Sequence, residues 1–383
     1  GVDLLIGLRT NSSWGTAPGE AFGRPLVDET AYYNMIYAMV SRAPEVKFWQ
    51  NDCEPNNSKY WSGGPEEFVV ALKTFYAAVK TANPEARVIL GGHNGNITEG
   101  HPSNYEFYDY VFQNGGDYFD LFDVRLYDNP YTIEGRVRWF RNRLDQFGLD
   151  DKPIVSTEYG GPKPQQFPEN LPYIEDISAQ LEMGTPAKDI YDEFLADMEN
   201  LPPQLQMFLS GCDPELERRR YRIQIRDMNI RTILAMSAGV MRLYMWVLIS
   251  RPVFEDADHS HPVFSHMSLS DESLTARYPT FEGYRRMLYQ LSDVISVVRT
   301  GPIASSVYLF EITREDGSRF YVVWQKRDPF RGEDTPPAQF TCKFSALLLN
   351  VVDVFGNESM LSPRNGVYTI AVTDTPVYLE EVK

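Results

Sequence analysis

Cysteine is scarce in this chain: three residues in 383, Cys53, Cys212 and Cys342, odd in number and far apart. They offer neither a CxxC metal spacing nor a disulfide framework. No His/Cys/Glu set has the spacing of a zinc site, and no Gly-x-Ser-x-Gly elbow occurs. Long apolar runs are missing as well. The best candidate, 238–249, is broken by Arg242 and falls short of the roughly 20 residues that cross a bilayer. Positive charge is in deficit, with 36 Lys and Arg against 53 Asp and Glu, a net of −17. That balance opposes binding to nucleic-acid phosphates or anionic membranes and is compatible with a neutral partner. The turn after the first strand-like run, residues 8–15, carries no glycine-rich phosphate loop.

Aromatic side chains are plentiful, 13% of residues with 23 Tyr and 6 Trp. They suit a large core, and also a cleft in which flat rings stack on the C–H faces of sugars. Short apolar runs alternate with helix-periodic ones. Strands are expected over 2–8, 46–50, 87–90, 119–126, 153–157 and 240–248. Helices are expected over 30–40, 65–81, 105–114, 133–147, 215–237 and 281–298. The 65–81 helix has Pro65 at its start, acids in its first turn and Phe68, Leu72, Phe75 and Val79 on one face. Such alternation implies parallel pairing by crossover, as in a (β/α)8 barrel, here with six units. A doubly wound sheet is the alternative, disfavoured by the missing phosphate loop. The arginines at the start of the 215–237 helix, Arg218, Arg219, Arg220 and Arg222, read as a solvated face with ion pairs.

From about residue 305 short alternating strands follow one another, the pattern of an antiparallel β-sandwich. The expected organisation is a barrel over 1–300, with a long Pro-rich acidic insertion at about 163–214 holding one short helix near 190–200, and a β-sandwich over 301–383. The insertion is placed to act as a lid or cleft wall.

In a parallel barrel the carboxyl ends of the strands carry the chemistry. Those ends offer Arg9, Asn11 and Trp14, then Asp52, Glu54, Asn56 and Asn57, then His93 and Asn94, then Arg125, Tyr127 and Asp128, then Glu158 and Tyr159, and last Trp246. Two glutamates on separate strands suit glycosidic bond cleavage, where one carboxyl group protonates the leaving oxygen and the other addresses the anomeric carbon. On a regular strand Asp52 and Glu54 point the same way.

The stretches WQNDCEPNN (49–57), KPIVSTEYGG (152–161) and YMWVLI (244–249) resemble retaining barrel glycosidases of clan A. That clan includes the β-xylosidase/iduronidase and cellulase/mannanase families. Its pattern is Asn-Glu-Pro after the fourth barrel strand, Thr/Ser-Glu-x-Gly after the seventh and a Trp after the eighth. The C-terminal VYTIAVTDTPVYLEE resembles the end of the β-domain often appended to such barrels. The resemblance implies Glu54 as acid/base, Glu158 as nucleophile and Tyr127 as the nucleophile's hydrogen-bond partner. Trp246 becomes a sugar platform, a role it shares with plain barrel filling as the other reading. Cys53, Asn57, His93 and Trp14 complete the expected substrate-binding set, although His93 suits a structural role at least as well. No cofactor and no metal are implied. The expected substrate is a β-linked oligo- or polysaccharide, which favours a secreted or periplasmic location.

Two departures from the pattern stand out. The mapping makes the first strand of this chain the third of the barrel, so a further segment or a partner chain is expected to complete the sheet. Cys53 replaces the Asn that holds the sugar 2-hydroxyl, and a thiol is a weak donor and acceptor. A non-catalytic carbohydrate-binding barrel, or a scaffold subunit completed by a partner, are the alternative functions. His259 and His261 beside Asp256 and Asp258 read as a solvated loop.

Overall fold

The computed structural model describes residues 3–93, 103–127, 129–249, 264–301 and 306–382. The chain forms two compact units. The first comprises residues up to Leu126, Glu134–Tyr159 and Ala238–Tyr244; the second comprises Tyr127–Ile133, Gly160–Ser237 and everything from Met245.

The first unit is built on a parallel sheet whose strands lie side by side in chain order. They are β1 Leu5–Leu8, β2 Phe48–Asn51, β3 Arg87–His93, β4 Leu121–Val124, β5 Ile154–Tyr159 and β6 Leu243–Met245. Each expected strand is present. Helices α1 Glu29–Arg42, α2 Pro65–Ala82, α3 Ser103–Gly115 and α4 Ile133–Gln146 form the crossovers. Asp28 caps α1 by accepting from Ala31 N, and Glu67 of α2 reaches back to Gly64 N at 2.9 Å. One face of the sheet carries an apolar layer of Phe48, Ile89, Leu121 and Val155, joined by Leu5. The other packs on helices through aromatic rings. Phe122 stands 5.5 Å from Tyr108, 5.2 Å from Phe112 and 5.1 Å from Phe140. Burial on both faces explains why these strands read as continuous apolar runs.

The second unit contains the insertion, which is more ordered than its composition suggests. In place of one short helix it folds α5 Leu171–Glu182, α6 Ala187–Ala196 and α7 Pro203–Gln206. Ile174, Ile177, Ile190, Tyr191, Phe194, Leu201 and Leu205 give it a core of its own. The prolines that suggested a loop sit at helix starts, where the missing N–H costs nothing. The long helix α8 Pro214–Ser237 and α9 Pro279–Gln290 follow.

The expected 281–298 helix stops at Gln290. Residues after it form strand β7 Val294–Arg299, because a β-branched run follows Asp293, whose φ of 57° breaks the helix. Then come β8 Val307–Arg314, β9 Arg319–Gln325, β10 Ala338–Cys342, β11 Leu349–Asp353, β12 Glu358–Leu361, β13 Tyr368–Val372 and β14 Val377–Glu381. They pair as an antiparallel sheet in the order β12-β11-β14-β9-β8-β7, with a β10-β13 pair packed over Val323 and Leu379 through Ile370 and Val372. The fold is thus a (β/α)8-type barrel sheet with a C-terminal β-sandwich.

The arginines of α8 are less solvated than expected. Arg220 is buried, while Arg219, Arg222 and Arg226, spaced to share a face, converge on Glu333 at 3.0, 2.7 and 2.8 Å. Glu333→Gln should lower the stability of this unit by ~2–4 kcal/mol, because it removes the nearer of the buried Arg226's two carboxylate partners. Urea denaturation followed by circular dichroism measures the loss.

Candidate active site

Alternation along the strands decides what gathers at their carboxyl ends. Two residues beyond the apolar layer come Gln50, Gly91, Asp123 and Thr157. Gln50 Nε2 donates to Asp123 Oδ2 at 2.8 Å, and Thr157 Oγ1 to the same oxygen at 2.7 Å. Thr157 N donates to Asp123 Oδ1 at 2.8 Å. Burial raises the pKa of the Asp123 carboxyl, against the opposing charge of Arg125 and the Thr157 hydrogen bonds.

Arg125 stands two residues past Asp123, only 2% exposed. Its Nη1 lies 3.1 Å from Asp123 Oδ2 and makes a short hydrogen bond to Thr157 Oγ1. Its Nη2 lies 3.1 Å from Glu158 Oε1 and donates to Cys53 O at 3.2 Å and Cys53 Sγ at 2.9 Å. Its Nε is 3.4 Å from Glu54 Oε1. Burial works against this charge, but Asp123, Glu158 and Glu54 outweigh it and hold the guanidinium well above its usual pKa.

Glu54, Glu158 and Cys53 meet around this cation, each offering an atom within 4.8 Å of the others. Glu54 is 7% exposed at the end of β2, and Glu158 lies on β5, half-buried. Burial pushes the Cys53 thiol up, so it stays protonated and donates to Glu158 Oε1 at 3.5 Å. These three side chains are the group among the described residues that could share a metal ion. Arg125 already supplies positive charge there. Two glycines make the crowding possible. A Cβ on Gly91 would come within 2.9 Å of Asn51 O, and one on Gly92 would collide with the Asp123 carboxylate. Gly92 N instead donates to Cys53 O at 2.8 Å.

Asp52 does not share the direction of Glu54. Strand β2 ends at Asn51, and Asp52 adopts a φ of 54°. Its carboxylate turns to Thr10, accepting from Thr10 N at 3.1 Å and Thr10 Oγ1 at 2.7 Å. Asn57 is also engaged locally, its Oδ1 accepting from Lys59 N at 3.0 Å. His93 is fully enclosed, between Tyr108 at 5.6 Å and Phe140 at 5.1 Å, with Arg136 bonded to its carbonyl. It has no surface to present to a substrate. Trp14 is 70% exposed and borders a hollow of ≈ 210 Å³ with Arg9, Asn11 and Tyr32. Tyr127 and Trp246 belong to the second unit. There Lys163 lies over the Tyr127 ring at 4.4 Å, Gln166 donates to Tyr127 O at 3.0 Å, and Gly160 leaves room for Trp246 O. Asn94, Asp128, Asp256, Asp258, His259 and His261 lie outside the described residues.

Sequence reading missed the roles of Gln50, Asp123, Arg125 and Thr157. Their signal was present in the parity of polar residues inside otherwise apolar strands.

No protein-family model and no curated protein matches the chain by sequence. Solved structures match in fold. A family 39 glycoside hydrolase from Bacteroides cellulosilyticus WH2 is 14% identical with a TM-score of 0.58, covering 94% of this chain and 64% of its own. The chain therefore spans a little under two thirds of that protein. A glucosidase from Croceicoccus marinus is 12% identical with a TM-score of 0.55, covering 100% of this chain and 79% of its own. A family 39 β-xylosidase from Caulobacter crescentus is 13% identical with a TM-score of 0.53, again covering 100% and 79%. At such identities the likeness establishes the fold, a (β/α)8-type barrel with an appended β-domain.

Burial pushes the Asp52 carboxyl up to about 6, overriding its Thr10 hydrogen bonds and the Arg9 charge. A raised carboxyl binds its proton more tightly in the folded state. Its contribution is complete below pH ~4 and is lost as pH rises through about 6. Asp52→Asn should remove that slope. Relative to wild type, the variant should gain roughly 2–3 kcal/mol between pH 4 and 7, read from denaturation midpoints across pH.

Proposed function

We propose that this chain is a retaining glycoside hydrolase acting on β-linked oligo- or polysaccharides. The observation that carries the reading is the pairing of Glu54 and Glu158, carboxylate oxygens within 4.8 Å, on separate strand ends around Arg125. Retention calls for carboxyl groups about 5–5.5 Å apart, and inversion for about 6.5–9.5 Å. The fold supports the reading too, since proteins of like fold include a glucosidase and a β-xylosidase.

In this mechanism Glu158 attacks the anomeric carbon while Glu54 gives its proton to the departing oxygen. The glycosyl–enzyme ester then forms on Glu158, anchored through Oε1 by Arg125 and Cys53. Glu54, now a base, takes a proton from water, which attacks the same carbon and frees Glu158. Arg125 contacts both carboxylates, so the residue that aligns the nucleophile also fixes the acid. Its own ties to Asp123 and Thr157 hold it in place before substrate arrives.

Proton NMR of the first product from an aryl β-glycoside should show the β-anomer before mutarotation. Initial α-product would overturn the retaining assignment. Glu158→Ala should bring turnover to background, and an unchanged rate would leave a carbohydrate-binding or scaffold role instead. Glu54→Ala should cost ~10²–10⁴-fold on poor leaving groups and far less on activated aryl glycosides. Cys53→Asn should raise turnover, because an amide supplies the stronger donor that the thiol lacks.

A further inference from the structure

The second unit contains a hollow of ≈ 260 Å³ between α8, the turn at Pro130 and the loop after β9. It lies just under the ~300–1,000 Å³ that hold drug-sized ligands, so its occupant is smaller. Part of the wall is apolar, from Pro130, Ile223 and Ile230. The charged lining balances: Arg226, Lys326 and Arg327 against Asp227, Asp328 and Asp374. A neutral occupant suits that balance better than an ion.

Among these acids Asp374 is the exception. It is 6% exposed, and among the described residues neither of its carboxylate oxygens accepts a hydrogen bond. Its nearest cationic neighbour is Arg226, whose Nη1 lies 3.3 Å from Oδ2 but donates to Glu333 at 2.8 Å. Most of the other charges are engaged: Asp328 Oδ1 accepts from Phe330 N and Arg331 N, and Lys326 lies over the Tyr131 ring at 4.6 Å. Asp227 takes both its bonds from Arg231 at 2.9 and 3.0 Å. Arg327 donates to the carbonyls of Gly332, Thr335, Pro336 and Val372. A buried carboxylate with open acceptors is costly unless something donates to it. Two coplanar oxygens match two adjacent hydroxyl groups, and the apolar wall matches the C–H face that such a molecule presents.

We propose that this hollow binds one neutral polyhydroxy ligand of monosaccharide size, with Asp374 accepting from two neighbouring hydroxyls and Pro130, Ile223 and Ile230 covering its C–H face. This site stands independently of the hydrolase reading, because it shares no residue with the Glu54–Glu158 centre.

Tyr131 lines the hollow and accepts from Trp324 Nε1 at 3.1 Å, which supplies a local reporter. The full chain, labelled with ¹⁵N, is titrated with D-glucose, D-xylose and myo-inositol to tens of millimolar. The Trp324 indole signal is assigned with Trp324→Phe. At least one probe should shift that signal saturably, equally in wild type and Glu158→Ala, and at least ~10-fold more weakly in Asp374→Asn. No saturable shift with any probe would mean the hollow holds water only, and overturns the proposal. So would undiminished affinity in Asp374→Asn, or a shift that putrescine produces and the sugars do not. Should Asp374→Asn fail to fold, the wild-type titration against putrescine still decides.

Discussion

The first unit's chemistry depends on one buried guanidinium. Arg125 contacts Asp123, Glu54 and Glu158, and it reaches the Cys53 loop as well. Removing any single carboxylate would leave its charge partly compensated; removing the cation would leave several carboxylates facing one another in a poorly solvated place. Gly92 leaves room for it beside Asp123, and Thr157 accepts from it while bonding the same Asp123 carboxylate that Gln50 holds. Substitutions around it are therefore expected to couple rather than add.

Much of the fold was legible because its elements obey simple periodicities. Short runs such as Phe48–Asn51 and Leu121–Val124 are buried on both faces, and burial of that kind leaves an unmistakable apolar signature. Strand β7 was not legible: Val294 follows the apolar end of α9 with no Gly or Pro between, so the turn at Asp293 was hidden inside one periodic pattern. The insertion misled for the opposite reason, since its prolines mark helix starts rather than loops. Of the site, Glu54, Glu158 and Cys53 could be named from local motifs. Arg125 could be placed at a strand end but given no role, because its meaning arises only when three separate strands bring their ends together.

The second unit rests on a different kind of electrostatics. Glu333 draws three arginines from one helix, and Tyr378 of β14 donates to Asn229 at 2.6 Å in the interior. These bonds join α8 to the β-sandwich across more than a hundred residues of chain. Such links carry no local sequence signal, which is why the arginine run read as a solvated face with ion pairs while the partners Glu333 and Asp334 went unnamed.

The left-handed backbone at Asp52 has a consequence for reading relatives of this chain. Asp, Asn and Gly enter that conformation with least penalty, whereas a β-branched residue would be strained there whatever its chemistry. Recurrence of an acid or amide at this position among homologues would thus record a geometric filter on the main chain. It should not be counted as a vote for Asp52 taking part in chemistry.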